Sequence, residues 1–349
     1  MTLLSRCAAT VLAGLGALVS GGLPSEAEAQ SAEAFYKSHP LTIVIGFTPG
    51  GGYDLYGRTV GRHISKYLPG NPNVIPQNMP GAGSLKAINF LYNNAPKDGS
   101  TIGTFSRGIP MEPLMGNQEA RFDPLKLIWI GSPSQETNVV FAWHTTPFKT
   151  MDDLKSQEMI VASTGQGADT ATFPLLLADI FKVKVKVVTG YPGAAETLLA
   201  VERGEVHGLG GLSWGYVKSA RPSWIKENKI NVILQFAREK NEELKTVPMA
   251  TDLVKDAGDR QLLDMFVSRL VMAWPLAAPP DVPKDRIQAL RTALAATMKD
   301  KDFLAEAEKQ NMDVAPVSGE EIETLLKRIY ASPPDVVARA REITERGRK

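Results

Sequence analysis

The sequence predicts an α/β protein that folds as two domains with largely parallel sheets. Short apolar segments with the pattern of strands alternate with helical patterns along most of the chain, as in βαβ units. The 349 residues also exceed the usual size of one globular unit. Since neither an internal repeat nor a low-complexity linker separates two halves, the chain is expected to cross between the domains within ordered strands.

The first strand–helix unit lies at residues 41–70. Residues Leu41–Phe47 carry apolar side chains at every second position, which predicts a strand. A later set of apolar residues recurs at a spacing of four, which predicts one buried helix face that ends at Pro69-Gly70. The residues of this face are Tyr56, Val60, Ile64 and Leu68.

The following segments continue the alternation of strands and helices. Further strands are predicted at Ile128–Ile130, Asn138–Trp143, Ile160–Ala162, Lys182–Val188 and Ile230–Phe236. Lys and Val alternate along Lys182–Val188, which predicts a strand with one buried face and one solvent-exposed face. Helices are predicted after the capping box Thr150-x-x-Asp153, at Ala194–Arg203, at 287–298, after Ser318 and after Pro334.

The N-terminus has the features of a signal peptide spanning residues 1–29. Arg6 precedes an apolar stretch from Cys7 to Val19, and Ala27-Glu28-Ala29 matches the pattern recognised by signal peptidase. The stretch is shorter than the roughly 18 apolar residues that a membrane span requires. Removing residues 1–29 from 349 leaves 320 residues without cysteine, so the mature protein is expected to be exported, soluble and free of disulfides.

Charge and histidine spacing exclude several functional classes. Lys and Arg number 39 and Asp and Glu 38, without a long basic block, so a nucleic-acid partner has no electrostatic basis. The four histidines are isolated from one another, and none forms a close ligand pair. No metal and no cofactor are therefore expected.

The stretch Ile45–Asp54 places three glycines between the first strand and the first long helix. Leu55 stands where a dinucleotide fingerprint needs its third glycine, and no Lys-Ser/Thr follows to make a phosphate-binding loop. Two interpretations stay open. The turn either presents backbone amides at a helix N-terminus to an anion, or it is a plain connection between strand and helix.

Gly211-Leu-Ser-Trp-Gly215 matches the G-x-S-x-G pattern of a hydrolase nucleophile elbow. An α/β-hydrolase needs a histidine after the serine, whereas the last histidine here is His207. A secreted serine hydrolase using Ser213 is therefore kept only as an alternative.

Three more loops resemble the first glycine turn in composition. Pro80–Ser84, Ser163–Gly167 and Tyr191–Gly193 each follow or open a predicted element with small residues and free amides or hydroxyls. Open α/β sheets bind ligands at the carboxyl ends of their strands. Four such loops, without a credible catalytic set, favour binding over catalysis.

Several motifs together resemble the substrate-binding proteins of tripartite tricarboxylate transporters, also called Bug or TctC-like proteins. Phe47-x-Pro-Gly-Gly-x-x-Asp54 is similar to the family's F-x-[AP]-G-G-x-x-D, and Asn78-x-Pro-Gly-Ala-Gly83 to its N-x-P-G-A-G. Later matches appear in the same order and cover nearly all of the mature chain. They are Ala95–Gly99, Tyr191-x-Gly193, Val247-Pro248 and Ala278–Pro283.

This resemblance implies a type II periplasmic binding-protein fold, with two α/β domains, a ligand cleft and crossing hinge strands. The implied domains are 30–137 for the first part of domain 1, 138–265 for domain 2, and 266–349 for the return to domain 1. The implied function is capture of a small organic acid by hinge closure and delivery to a large and a small membrane subunit. The protein would be a periplasmic monomer and not an enzyme, or alternatively a sensing component without transport.

The resemblance also implies which residues hold a ligand carboxylate through backbone amides and water. They are Thr48, Pro49, Gly50, Gly51, Gly52, Tyr53 and Asp54 on one side, Tyr191, Gly193 and Ala194 on the other, and Thr164, Gly165, Gln166 and Gly167 beside them. Asp54, at the start of a helix, is expected to fix the glycine turn, so Asn should replace it with little loss of ligand affinity.

Two further candidates come from departures from the family pattern. Ser106 and Arg107 stand where many members have a small segment, and Arg107 is predicted either to contact a carboxylate in bidentate fashion or to pair with an acidic side chain. Trp214 is predicted either to stack on the ligand or to be buried. The Tyr191 loop carries Pro192 where Lys is common.

Overall fold

The computed structural model describes residues 31–346, so the predicted signal peptide at 1–29 lies outside it. The strands are β1 (Leu41–Ile45), β2 (Val74–Asn78), β3 (Thr101–Thr104), β4 (Ile128–Ser132), β5 (Asn138–Trp143), β6 (Met159–Ser163), β7 (Val185–Thr189), β8 (Gly208–Ser213), β9 (Ile230–Phe236), β10 (Leu276–Ala278) and β11 (Val317–Ser318). The α-helices are α1 (Ala32–Ser38), α2 (Gly52–Ile64), α3 (Leu85–Asn93), α4 (Met151–Ser156), α5 (Asp169–Phe181), α6 (Ala194–Glu202), α7 (Trp214–Ala220), α8 (Pro222–Lys226), α9 (Ala250–Leu253), α10 (Ala257–Ser268), α11 (Lys284–Thr297), α12 (Lys301–Lys309), α13 (Gly319–Tyr330) and α14 (Pro334–Arg346).

The strands form two separate sheets, which confirms the α/β class. The first sheet has the order β11-β4-β10-β3-β1-β2 and the second the order β7-β6-β8-β5-β9. β1 runs parallel to β2 and β3, and β6 runs parallel to β7 and β8. The other pairings are antiparallel. The sheets are thus mixed rather than largely parallel, because the strands next to the crossings run against their neighbours.

The chain crosses between the sheets twice. It leaves the first sheet after β4 at Ser132, enters the second at Asn138, and returns between the end of β9 and the start of β10. The two crossing segments are hydrogen-bonded to each other, since the amide of Glu136 donates to the Leu270 carbonyl at 3.1 Å and that of Ala273 to the Ser134 carbonyl at 3.2 Å. Two crossings side by side make a hinge.

Most predicted elements form, and the differences have local causes. Strands β5 and β9 have the predicted bounds, and the predicted capping boxes begin α4 and α13. The strand predicted at 182–188 begins at Val185, because Lys182 adopts a left-handed backbone at the end of α5. Helix α2 ends at Ile64, although Leu68 is buried with the same apolar face.

The C-terminal helices cover both sheets. Helices α11 and α12 pack on α2, and α13 packs on β4. Helix α14 packs instead on α5 and α10, where Arg339 forms ion pairs with Asp179 at 2.7 Å and Asp259 at 2.6 Å. Within residues 31–346, no helix is both long and apolar enough to cross a membrane.

Candidate ligand-binding cleft

The glycine turn after β1 is built by backbone geometry and one carboxylate. Gly50 has a φ of +86°, a region that favours glycine, and α2 begins two residues later. The buried Asp54, in the first turn of α2, accepts a hydrogen bond from the Gly50 amide at 2.9 Å. The amides of Gly51 and Gly52 lie at the start of a 13-residue helix, where a partial positive charge attracts anions.

Both oxygens of Asp54 are engaged. Oδ2 accepts from Gly50, while Oδ1 accepts from Arg58 Nε at 2.7 Å and from Asn78 Nδ2 at 2.8 Å. The same Asn78 amide nitrogen donates to the Phe47 carbonyl at 2.8 Å. The two family motifs that begin at Phe47 and Asn78 therefore form one bonded unit.

An aromatic wall stands beside the turn. Tyr53 stacks on Phe47 with ring centroids 4.8 Å apart and meets Trp274 edge-on at 4.8 Å. Tyr56 also stacks on Trp274, with ring centroids 4.6 Å apart. A Cβ at Gly52 would lie 2.4 Å from the Trp274 ring, so the contact between turn and ring depends on glycine at this position.

Loops from the second sheet close over the turn. Thr48 Oγ1 donates to the Glu196 carboxylate at 3.2 Å, and the Tyr216 hydroxyl donates to the Gly50 carbonyl at 2.8 Å. On the opposite side, a Cβ at Gly165 would lie 2.5 Å from the Gly83 amide. The loops of the two sheets are thus in contact on both flanks of the cleft.

Two cavities lie between these loops. The inner one, about 50 Å³, is lined by Phe47, Gly51, Gly52, Tyr53, Ser106, Arg107, Thr164, Ala168, Asp169, Thr170, Ala194, Gly211, Leu212, Ser213, Tyr216 and Trp274. The outer one, about 560 Å³, is lined by Phe47, Pro80–Leu85, Ile109, Glu112, Asn117, Glu119, Thr164–Gly167 and Thr189–Pro192. Phe47 and Thr164 belong to both linings, so the cavities adjoin.

Known structures share this architecture. BugD, a periplasmic binding protein, matches with a TM-score of 0.69 and 17% identity over 88% of this chain and 98% of its own. MatC from Rhodopseudomonas palustris, with bound malate, matches with 0.67 and 18% over 88% and 99%. The chain has the fold of the Bug and TctC periplasmic binding proteins.

The sequence comparison agrees with this fold. A UPF0065 protein of Cupriavidus necator is 25% identical over 267 residues, which cover 70% of this chain and 72% of that protein. No family model matches the chain. The resemblance found in the motifs is confirmed, as is the type II periplasmic binding-protein fold that it implied.

The binding-protein fold brings most of the predicted site residues together. Those lining the inner cavity are Gly51, Gly52, Tyr53, Ser106, Arg107, Thr164 and Ala194. Those lining the outer cavity are Thr164, Gly165, Gln166, Gly167 and Tyr191. Thr48, Pro49, Gly50, Asp54 and Gly193 lie in the same loops but line neither cavity, and they shape the turns that do. Direct ligand contact by any of these residues stays a prediction.

Arg107 is buried at the centre of an ion network. Its Nε lies 2.5 Å from Asp169 Oδ2, its Nη2 donates to Asn138 Oδ1 at 2.5 Å, and its Nη1 donates to the Ala273 carbonyl at 3.2 Å. Burial by itself raises the pKa of Asp169, but the charges of Arg269 and Arg107 outweigh it and hold the pKa below its usual value. The structure therefore shows the acidic partner that was one of the two predictions for Arg107.

Trp214 does not lie in the cleft. It is 5% exposed, lines neither cavity, and donates from Nε1 to Glu243 at 2.6 Å. Of the two alternatives predicted for Trp214, the structure shows the buried one, with the ring directed towards the segment at Glu242–Leu244. Trp274 lines the inner cavity, and the sequence contained no pattern that singled it out.

Ser213 has the contacts of a helix cap. Its Oγ accepts a hydrogen bond from the Tyr216 amide at 3.0 Å at the start of α7. The histidines have other neighbours: His39 stacks on Phe35, His63 bonds Glu306, His144 lies beside Trp143, and His207 accepts from the Ile160 amide. These contacts give no support to a Ser–His catalytic pair. Among the described residues, no group of three or more His, Cys, Asp or Glu is arranged to hold a metal ion.

Proposed function

We propose that the protein is a periplasmic solute-binding protein that captures a small organic acid between two domains. The carrying observation is that residues at two helix N-termini line one cavity. Gly51 and Gly52 begin α2 on the first sheet, and Ala194 begins α6 on the second. A carboxylate between them would accept hydrogen bonds from both sides at once.

Main-chain amides have to supply most of the anion binding. Among the described residues that line the two cavities, Arg107 is the only Lys or Arg, and its guanidinium already contacts Asp169, Asn138 and Ala273. An acid held by amides loses water on one face and gains directed hydrogen bonds, and it does not require a cationic side chain. This chemistry suits a carboxylate of any kind. The shape of the outer cavity would then determine which carboxylic acid binds.

Hinge closure provides the means of capture. In this proposal the domain boundaries lie near residues 138 and 266, beside the two crossings between the sheets. Thr48, Gly50 and Gly83 of the first sheet's loops touch loops of the second, and they would separate when the hinge opens. Ligand contacts on both sides then favour the closed state, as population shift requires.

Transport is the use of this capture that the relatives suggest. MatC is described with malate and another Rhodopseudomonas palustris protein of this fold with adipate. By analogy, the present protein would act as an exported monomer that delivers its acid to a large and a small membrane subunit. Residues 1–29 would direct the export.

Thermal unfolding with a panel of acids tests the binding role. A ligand that binds the folded state only, at 100 times its Kd, stabilises it by about 2.7 kcal/mol, which raises Tm by several degrees. Each acid, including malate and adipate, is paired with its neutral diamide or alcohol. Carboxylates should raise Tm and their neutral partners should not. A panel in which only neutral solutes act would contradict the proposal.

Two glycine variants test whether the rise in Tm comes from a ligand bound in this cleft. A Cβ at Gly193 would lie 2.2 Å from Thr48 Oγ1, so Gly193→Ala should obstruct closure and reduce the Tm shift. Gly258 lies in α10, away from the cleft. Gly258→Ala places its Cβ 3.2 Å from Asp256 and should keep the Tm shift. Equal shifts in both variants would place the ligand elsewhere.

A further inference from the structure

We propose that Glu136 is a positioning residue that holds Trp274 against the ligand cavity, and that above pH 7 closure of the cavity on a carboxylate takes up as much as one proton from water at Glu136. The inference rests on the proposed function and adds a proton linkage to it. Glu136 belongs to the first crossing between the sheets, and Trp274 to the second.

Glu136 connects both crossings to the cavity wall. Its Oε1 accepts a hydrogen bond from Trp274 Nε1 at 3.2 Å, and its amide bonds the Leu270 carbonyl. Ser213, which lines the inner cavity, is a second hydrogen-bond partner of the carboxyl group. Trp274 in turn packs on Tyr53 and Gly52 of the turn that is expected to hold the ligand. A change at Glu136 is therefore transmitted to the cavity through one ring and one hydroxyl.

Glu136 also lines a polar groove that Asp313 shares. The two carboxylates approach each other beside Gly215, where an added Cβ would be 2.7 Å from Asp313 Oδ2 and 3.0 Å from Glu136 Oε1. Asp313 is itself paired with Lys218 at 3.1 Å. Glu239 and Glu243 line the same groove, on the segment between β9 and α9.

Burial, rather than neighbouring charge, is the main factor that opposes ionisation of Glu136. Arg107 and the hydrogen bonds with Ser213 and Trp274 favour the ionised form, whereas Asp313 opposes it, and Tyr56 of α2 also interacts with Glu136 electrostatically. Arg107 is already paired with Asp169. Burial raises the pKa of Glu136 to about 7, against the ordinary value of 4.5. A ligand carboxylate arriving in the adjoining cavity adds negative potential, so it raises this pKa further and draws a proton from solvent.

The affinity for the ligand should therefore fall as the pH rises above 7. Below pH 7 Glu136 is already protonated and the ligand binds without proton uptake. Above pH 7 the proton must be acquired on closure, so the affinity falls with pH by at most about tenfold per unit. The protonation of Glu136 should also make the stability of the ligand-free protein depend on pH. Relative to Glu136→Gln, the folding equilibrium of the wild type should weaken by about 300-fold as pH rises from 4.5 to 7, the range between the unfolded and folded pKa values.

Calorimetric titration at pH 7.5 in two buffers of different ionisation enthalpy counts the protons. The probe is whichever acid of the panel binds most tightly, with malate and adipate tried first. The wild type should take up a fraction of one proton per ligand. Glu136→Gln keeps an acceptor for Trp274, so it should bind within about threefold of wild type at pH 6 and take up no proton. Glu136→Ala should lose about tenfold in affinity at every pH.

Glu239→Gln is the matched control, because Glu239 lines the same groove but is exposed. It should retain the proton uptake. Binding without uptake in the wild type, or uptake that persists in Glu136→Gln, would overturn the inference while leaving the binding function intact. Absence of binding by every acid would overturn the function itself. The pH dependence of unfolding, measured in urea without ligand, decides the protonation of Glu136 in either case.

Discussion

The two loops that face each other across the inner cavity are held very differently. The loop Thr48–Asp54 follows β1, which lies inside the first sheet between β2 and β3. Its turn is fixed by Asp54, whose two oxygens accept three hydrogen bonds of 2.7–2.9 Å. The loop Tyr191–Ala194 follows β7, an edge strand, and its Tyr191 amide reaches the Ser163 carbonyl only at 3.3 Å.

This difference assigns a different role to each loop. A turn with short, directed bonds keeps its amides in place whether or not a ligand is present, which lowers the entropic cost of binding. A loop on an edge strand, with Gly190 in a positive-φ conformation and no atom within 4 Å of a Cβ built there, can move at lower cost. In the proposed site, we therefore expect the first loop to be the preformed half and the second to gain its contacts on closure.

Asp54→Asn gives the largest expected effect on the preformed loop. Asn has one acceptor oxygen where Asp54 uses two, so its NH₂ group would face donors from Gly50 or from Arg58 and Asn78. We expect a loss of about 2–3 kcal/mol in the free energy of unfolding, measured in urea. The sequence predicted that Asn would cost little ligand affinity because it caps a helix nearly as well as Asp, and the three acceptor bonds add a cost in stability that this prediction did not include.

The control for this variant is Asp335→Asn. Asp335 is exposed in the first turn of α14, which has 13 residues like α2. It interacts mainly with the helix dipole, so the loss should stay below about 1 kcal/mol. Equal losses at the two positions would mean that Asp54 acts only as a capping charge, and the contrast between the two loops would lose its main support.

Gly52→Ala tests the contact between the preformed loop and Trp274. The new Cβ would lie 2.4 and 2.6 Å from two atoms of the Trp274 ring, and that ring is already stacked on Tyr56 at 4.6 Å, which limits its freedom to shift. We expect about 2 kcal/mol of destabilisation from overpacking, measured as a fall in Tm. Gly51→Ala is the matched control, because its nearest neighbours would be 3.8 Å away. If both variants melt alike, the ring is not held as tightly as the stacking distances indicate.

Local chemistry explains what the sequence could predict. Residues within a few positions of each other determine the glycine turn, both capping boxes and the strand–helix alternation. These patterns can therefore be recognised in the sequence. The family motifs extended this to two loops of the first sheet, since Phe47 and Asn78 begin two motifs that bond across the neighbouring strands β1 and β2.

Long-range contacts explain what the sequence could not predict. Trp214 and Trp274 both follow a small residue, and only the path of the chain through the hinge places the second in the cavity wall and the first against Glu243. The partner of Arg107 is 62 residues away, on the first turn of α5. Without the tertiary fold, a ligand contact and an internal ion pair were equally compatible with that arginine.

The smallest expected effect concerns the second loop, where Thr48 and Glu196 join the two sides. Thr48→Val keeps the shape of the side chain and removes one hydrogen bond of 3.2 Å. Because this bond requires closed loops, we expect a three- to fivefold higher Kd for the bound acid, about 0.6–1 kcal/mol, through faster dissociation. Stopped-flow dissociation of wild type, Thr48→Val, Glu196→Gln and the double variant measures the coupling. The cycle cancels the separate effect of Glu196 on the α6 dipole. A coupling of about 0.5–1 kcal/mol is expected, whereas strictly additive losses would mean that the two loops do not meet in the bound state.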